Sequence, residues 1–155
     1  VKCDLASELQ RLPGLPEELP PEFADVDILV NNAGLALGKA SACDNELADI
    51  QTVITVNVTA AITVASAFLR RMKARGRGHL INVGSIAGHE YYAGGSVYCA
   101  SKFALTAFTG AARHDLVGTK VRVTCISPGA VETEFSVVRF GGDKAKADAV
   151  YDNFA

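Results

Sequence analysis

Tyr98-Cys99-Ala100-Ser101-Lys102 sets a phenol four residues before an ammonium. At that spacing on a helix the two side chains share one face. A cation beside a phenol favours the phenolate. Free tyrosine titrates near ~10, so about one in a thousand is ionised at neutral pH. Lowering that pKa by ~3 units takes roughly 4 kcal/mol of preferential stabilisation of the anion. The product would be a proton donor and acceptor working near pH 7. Ser85 precedes Tyr98 in Asn82-Val83-Gly84-Ser85-Ile86-Ala87-Gly88, and Asn31-Asn32-Ala33-Gly34 closes an apolar run further upstream. Asn57 stands early in an apolar stretch of helical pattern, where asparagine is disfavoured. Taken singly, each has an ordinary reading: a half-exposed helix pair, a turn serine, a strand stop, a helix start or kink. Their order along the chain is what points to chemistry.

These residues need elements to position them. Asp27 to Asn31 reads as a continuous apolar strand, of the kind buried on both faces in parallel sheets. Residues 44–55 read as a helix with Asp44 as N-cap, and Asn57 to about Arg75 as a long Ala-rich helix. The basic residues Arg70, Arg71, Lys73 and Arg75, followed by Gly76, suit a helix C-terminus. His79 to Val83 is the next buried strand. The helix bearing Tyr98 and Lys102 runs to about Leu116, and Val121 to Ile126 is a strand ended by Pro128-Gly129. Val1 to Asp4 reads as the end of a short strand, and Leu5 to about Leu12 as a weak helix stopped by Pro13. Residues 13–22, rich in proline, read as loop. Beyond Gly129 the chain reads as loop, then a weak helix from about Lys144 to Phe154. Strands alternating with helices indicate βαβ units and a parallel α/β sheet. A serine at the carboxyl edge of such a sheet faces the ligand crevice.

The 155 residues suffice for one domain with a core, and 49% hydrophobic, 21% charged and a net charge of −2 describe an ordinary globular balance. No basic patch points to nucleic acid. The apolar runs read as too short to span a bilayer, and Val1-Lys2-Cys3-Asp4 does not read as a signal peptide. Cys3, Cys43, Cys99 and Cys125 form no CxxC pair, and His79, His89 and His114 lie at no metal spacing. Free, mostly buried thiols in a reducing compartment are expected, with no metal site. Tyr91 and Tyr92, in the loop before Tyr98, are candidates to line a pocket. Arg139 is either a bidentate partner for a carboxylate or a surface or interface arginine.

Together, Asn31-Asn32-Ala33-Gly34, Asn57, Ser85, Tyr98 to Lys102 and Pro128-Gly129 resemble the short-chain dehydrogenase/reductase family over essentially the whole chain. The resemblance implies a Rossmann-like, doubly wound parallel sheet and hydride transfer between NADP(H), NAD not being excluded, and a secondary alcohol or carbonyl. It implies that Tyr98 is the catalytic acid/base and that Lys102 lowers its pKa and binds the nicotinamide ribose. Ser85 would hold the substrate oxygen, and Asn57 would support a water relaying protons to the lysine. Asn31, Ala33 and Gly34 would lie against the cofactor, Gly34 by allowing close approach. Pro128 and Gly129 would lie at the nicotinamide, and Thr133 would contact its amide or a phosphate. Asp4 takes the place of an aspartate that contacts the adenine. An ordinary turn role for Thr133 and a solvated strand-end role for Asp4 stay open. Gly84 replaces a serine of many members and is expected to loosen the approach to the site.

The fuller motifs, including Gly84 to Gly88 and Pro128 to Phe140, resemble the branch of NADP-dependent 3-hydroxy acid dehydrogenases acting on serine and allo-threonine, above all its fungal members. The substrate implied is a small hydroxy acid or carbonyl compound, in a cytoplasmic homotetramer or dimer. The family's opening glycine-rich turn, TGxxxGxG, which cradles a pyrophosphate, is not in this sequence. Residues 1–155 are therefore expected to form a single incomplete domain lacking the family's first two strands and its last. The alternative is a truncated, non-catalytic remnant that binds no cofactor.

Overall fold

The computed structural model describes residues 1–152. Three parallel strands, β1 (Ile28–Asn31), β2 (Gly78–Val83) and β3 (Val121–Ile126), form one sheet in the order β1-β2-β3. Parallel neighbours need crossovers, and helices supply them. Between β1 and β2 run α1 (Leu47–Ile54), a π-helical segment (Thr55–Ala60) and α2 (Ala61–Arg75). Between β2 and β3 runs α3 (Ser96–Asp115). Two short helices follow, α4 (Glu134–Arg139) and α5 (Lys144–Asp148). The fold is the Rossmann-like α/β class expected.

Register pairs Asn31 with Asn82, Asn82 with Cys125 and Val83 with Ile126. The three strands thus end together, and the segments Asn32–Gly34, Gly84–Ser85 and Ser127–Gly129 leave from one edge. Beyond the strands the pairing continues: Gly84 donates to Ile126 O at 2.7 Å and Ile86 to Pro128 O at 3.0 Å.

One face of the sheet is packed. Leu80, Val121 and Val123 meet Ala65, Phe68 and Met72 of α2 and Ala112 of α3. The other face is open among the described residues, where Ile28, Val30 and Ile126 are half exposed. The expectation that β1 is buried on both sides is corrected: its residues alternate, because helices cover only one side. Buried amides cross the packed face. Asn31 Nδ2 donates to Ala61 O at 2.9 Å and to Asn82 Oδ1 at 3.0 Å, and Asn82 Nδ2 donates to Thr109 Oγ1 at 2.9 Å.

Several boundaries differ from the sequence reading. Val1–Asp4 is not a strand, since no neighbouring strand pairs with it. Residues 5–7 form a turn, and Leu9–Glu18 is a 3-10 helix that passes through Pro13 and Pro16. The tighter helix tolerates these prolines because Leu12 and Pro16 are buried, Leu15 and Leu19 pack on the core, and Arg71 binds Pro16 O at 2.6 Å. Helix α1 starts at Leu47 after Glu46, so Asp44 is not its cap. Asn57 lies in the π-helical segment rather than at a helix start. Helix α2 ends as read: Gly76 adopts φ 73°, its N–H meets Met72 O and Lys73 O, and Arg77 N–H reaches Met72 O at 3.1 Å. The last helix ends at Asp148, and the end expected for it at Phe154 lies outside the described residues. The continuous helical run Leu47–Arg75, 29 residues, is long and apolar enough by length and composition to cross a bilayer, so the expected shortness of apolar runs does not hold. Here that run packs on the sheet and on α3. Of the four free cysteines only Cys99 is buried, and Cys43 is exposed, against the expectation of mostly buried thiols.

Removing one member of the amide chain leaves buried donors without acceptors. Asn82→Ala is expected to cost about 2 kcal/mol or more, whereas Asn45→Ala, which is half-buried and gives up only solvent-accessible bonds to Ala42 O and Ser96 Oγ, is expected to cost less than about 1 kcal/mol. Urea unfolding of the two variants beside the parent checks this. A shift no larger than that of Asn45→Ala would mean that the network contributes nothing.

Candidate active site

Helix α3 carries Tyr98 and Lys102 one turn apart, and α3 crosses the carboxyl end of β2. Lys102 is 6% exposed and donates to Val83 O at 3.0 Å. Its Nζ lies 5.7 Å from the centre of the Tyr98 ring. An ammonium has three N–H donors, and only one is taken by the described residues. Burial pushes the Lys102 pKa below its ordinary value.

Ser85 follows β2 directly, nearly buried, and its hydroxyl accepts from Ala87 N at 3.1 Å. The loop that holds it is pressed against α3. A Cβ on Gly88 would lie 2.7 Å from Thr106 Oγ1 and 2.9 Å from Lys102 O, so only glycine lets the loop reach the helix. Gly84 has a similar cause. A Cβ there would lie 2.7 Å from Cys125 Sγ. The glycine does not loosen the approach, as expected from sequence; the neighbouring thiol fills the space that a serine side chain would take.

The protein's own groups do not by themselves favour the Tyr98 phenolate; the shift expected from sequence needs a bound cationic cofactor ring as well as the lysine. Its pKa is raised, chiefly by burial, which disfavours the phenolate. The neighbouring Ser85 hydroxyl and the Arg139 charge pull it down only in part. The Lys102 ammonium, 5.7 Å from the ring centre, is itself desolvated.

Asn57 is 2% exposed and uses its amide fully. Oδ1 accepts from Leu35 N at 2.8 Å, and Nδ2 donates to Leu35 O at 2.7 Å and to Ser101 Oγ at 3.0 Å. It therefore clamps the loop after β1. Ser101, fully buried, passes the link on to Tyr98 O at 2.7 Å. Sequence reading missed Ser101, although its place between Tyr98 and Lys102, facing inward, was available. Gly34 sits over this clamp: a Cβ there would lie 3.3 Å from Asn57 Oδ1 and 3.6 Å from Lys102 Nζ. Asn31 contributes through the buried amide chain of the sheet, while Asn32 and Ala33 are exposed beside it. Pro128 O is held by Ile86 N, and Gly129 is exposed, with nothing within 4 Å of where a Cβ would stand.

The remaining candidates separate. Thr133 caps α4, its hydroxyl accepting from Phe135 N at 3.3 Å. Asp4 is exposed and accepts from Ala6 N at 2.8 Å within its own turn, which also holds its carboxyl below the usual range; its bonds lead to residues 6 and 8, not to the cluster. Tyr92 stands at the cleft, its hydroxyl bonded to Arg139 at 3.0 Å, but Tyr91 is 85% exposed and lines nothing. His79 bonds Thr124 and His89 bonds Ser127, as satisfied side chains do. Sequence reading took residues 130–143 as loop and missed α4. Its signals were Thr133 as a cap and the pair Gly141-Gly142, both with positive φ, just past its end. Helix α4 seats Phe135 5.6 Å from the Tyr98 ring and brings Arg139, one turn later, 5.9 Å from the same ring.

A ligand that offers a diol to a buried ammonium fits this edge. Lys102 has donors to spare, Gly34 keeps the approach to it clear, and the loops after all three strands converge there.

Serine, phenol and ammonium gathered at the carboxyl edge of a parallel sheet define a Rossmann-like protein with its site where such folds bind dinucleotides. The chain belongs to the short-chain dehydrogenase family, which it matches over residues 1–141. It is 52% identical over 153 residues to the NADP-dependent 3-hydroxy acid dehydrogenase of Schizosaccharomyces pombe, covering 99% of this chain and 59% of that protein. It is 48% identical over 136 residues to sulfoacetaldehyde reductase 2 of Chromohalobacter salexigens, covering 87% of this chain and 54% of that one. The closed form of serine dehydrogenase complexed with NADP+ superposes with a TM-score of 0.93 at 44% identity, covering 99% of this chain and 62% of that chain. The chain thus spans less than two thirds of the length of each of these relatives.

Two outcomes follow from this geometry. Gly88→Ala should cost about 1–3 kcal/mol by forcing the Ser85 loop off α3. Gly110→Ala, on the same helix with nothing within 4 Å of the added carbon, should gain up to about 1 kcal/mol. Thermal unfolding of both variants reads the contrast, and equal effects would remove the packing argument. Burial also sets the sign for Tyr98: its phenolate absorbance, isolated by difference against Tyr98→Phe, should appear at higher pH than that of free tyrosine, near ~10. Appearance below that value would contradict the desolvation account.

Proposed function

We propose that the complete protein containing this chain transfers a hydride between NADP(H) and the alcohol carbon of a small 3-hydroxy acid. The supporting observation is Tyr98 beside Ser85 and a buried Lys102 with free donors at the carboxyl edge of the sheet. The relatives act, by their names, on 3-hydroxy acids, serine and sulfoacetaldehyde, all small and all bearing an anionic group.

In this reading Ser85 holds the substrate oxygen and Tyr98 exchanges a proton with it. Lys102 binds the ribose hydroxyls of the cofactor, and Asn31, Ala33, Gly34, Pro128, Gly129 and Thr133 line its path. Asn57 holds the loop after β1 against α3. The bound nicotinamide supplies or accepts the hydride, and its positive charge in the oxidised form offsets the burial that otherwise holds Tyr98 protonated. Alcohol oxidation consumes the phenolate, so its rate should rise with pH as Tyr98 loses its proton. Carbonyl reduction consumes the phenol and should fall over the same range.

A cytoplasmic setting fits the four free thiols. Assembly is proposed through α3, whose outward face exposes Ala100, Phe103, Ala107 and Ala111, small and apolar residues at helical spacing. Light scattering of the complete protein should give a dimer or tetramer at micromolar concentration, and a monomer would reject that surface.

Tyr98→Phe keeps the ring and its contact with Phe135 but removes the proton. In the complete protein it should leave unfolding unchanged and lower kcat by about 100-fold or more. Steady-state NADP+ reduction with serine or 3-hydroxypropionate measures it, and activity within a few-fold of the parent would reject Tyr98 as the acid/base.

A further inference from the structure

Arg139 is a buried cation without a counter-ion. It is 9% exposed, and among the described residues no carboxylate lies within salt-bridge distance of it. Burying a charge is costly unless it is paired or multiply hydrogen-bonded. Here Nε donates to Gly38 O at 2.8 Å, Nη1 to the Tyr92 hydroxyl at 3.0 Å and Nη2 to Gly94 O at 3.4 Å. The rings of Tyr92, Tyr98 and Phe140 stand 5.7, 5.9 and 6.0 Å from the guanidinium carbon. All these partners are neutral. They fix the plane and position of the guanidinium and leave its charge uncompensated.

A guanidinium has five N–H donors. Three are used, which leaves one on Nη1 and one on Nη2. Two donors on the two terminal nitrogens are what a carboxylate or another oxyanion accepts side by side. Leu37, Gly38, Gly94, Val97, Tyr98 and Arg139 border a shallow cleft open to solvent, whose enclosed part is about 10 Å³, room for one water-sized group such as a carboxylate oxygen. Tyr98 and Arg139 line it together, so an anion on Arg139 has its neighbouring carbons near the phenol.

We propose that Arg139 is the specificity-determining residue of this site: it binds the carboxylate of the substrate and so presents the hydroxyl-bearing carbon to Tyr98. The assignment rests on the function proposed above and adds the recognition of the acid group to it. Gly38 and Gly94 are part of the device, since their carbonyls hold the guanidinium from opposite loops. Gly94, at φ 75°, is required there because a Cβ would lie 2.8 Å from Lys39 O.

The test compares the complete protein with Arg139→Met and Arg139→Lys. The first readout is the ratio of kcat/KM for 3-hydroxypropionate to that for 1,3-propanediol, which differ in the acid group. Arg139→Met should lower the ratio about 100-fold or more, mainly through KM for the acid, and Arg139→Lys should fall between, having charge without the fork. If Arg139 only ties the loops together, both substrates lose alike and the ratio stays, which overturns the proposal. The second readout needs no turnover: 3-hydroxypropionate should raise the melting temperature of the parent and not that of Arg139→Met. Stabilisation of both variants alike would also overturn the proposal. A parent that binds the acid through Arg139 yet oxidises no alcohol with NADP+ would sustain this assignment and reject the proposed function.

Discussion

The bond from the Lys102 ammonium to Val83 O joins the helix that carries the phenol to the strand that delivers the serine. Most of the site's geometry depends on it. Val83 is the last residue of β2, so the contact fixes how far α3 reaches over the sheet edge, and Gly88 fixes how closely the Ser85 loop lies against the same turn. Tyr98 and Ser85 meet because these two contacts share a few residues of α3. The arrangement carries a cost. A lysine so buried is less readily charged, and the tyrosine beside it is less readily ionised. In the protein alone burial outweighs the neighbouring cations at the phenol.

A second set of contacts keeps the edge aligned. Two side-chain amides do the work of backbone. Asn57 pairs both its polar ends with Leu35, as a strand neighbour would, and Asn82 bridges Asn31 to Thr109. Buried amides left unpaired would cost more than apolar residues of the same size. They are tolerated because every bond is closed, and closing them admits one register. The π-helical segment at Thr55–Ala60 belongs to this arrangement: the widened turn carries Asn57 inward toward the loop and Ser101.

What the sequence made legible follows from these forces. Strands β2 and β3 and helix α3 were readable nearly to the residue because their apolar patterns are long and glycine or proline ends them. Tyr98, Lys102 and Ser85 were readable as neighbours because strand and helix order puts them at one edge of the sheet. The 3-10 helix at Leu9–Glu18 was not, since its stability comes from Leu12 and Pro16 buried against the rest of the chain and not from local propensity. The open face of β1 was hidden because an apolar run reports what a strand can bury, not what covers it. Burial of Arg139 was hidden for a similar reason: it depends on Gly38 and Gly94, residues far apart in sequence, whose carbonyls converge only in the fold.

The charges of the cleft complete the account. Two cations, Lys102 and Arg139, flank one phenol, and neither forms an ion pair among the described residues. A cleft that keeps two nearly buried, uncompensated positive charges is poised for ligands bearing oxygen acceptors and negative charge. The two cations differ in kind. Lys102 is a point charge with rotatable donors, suited to hydroxyls that approach from different directions. Arg139 is a planar fork held by three acceptors, suited to a group with two coplanar oxygens. In the proposed reading Lys102 takes the polyol and Arg139 the acid, and Tyr98, whose ring centre lies 5.7 and 5.9 Å from them, exchanges the proton. A substrate held by its acid group on one side and a cofactor held by its ribose on the other would meet at the phenol, so recognition and chemistry share one geometry.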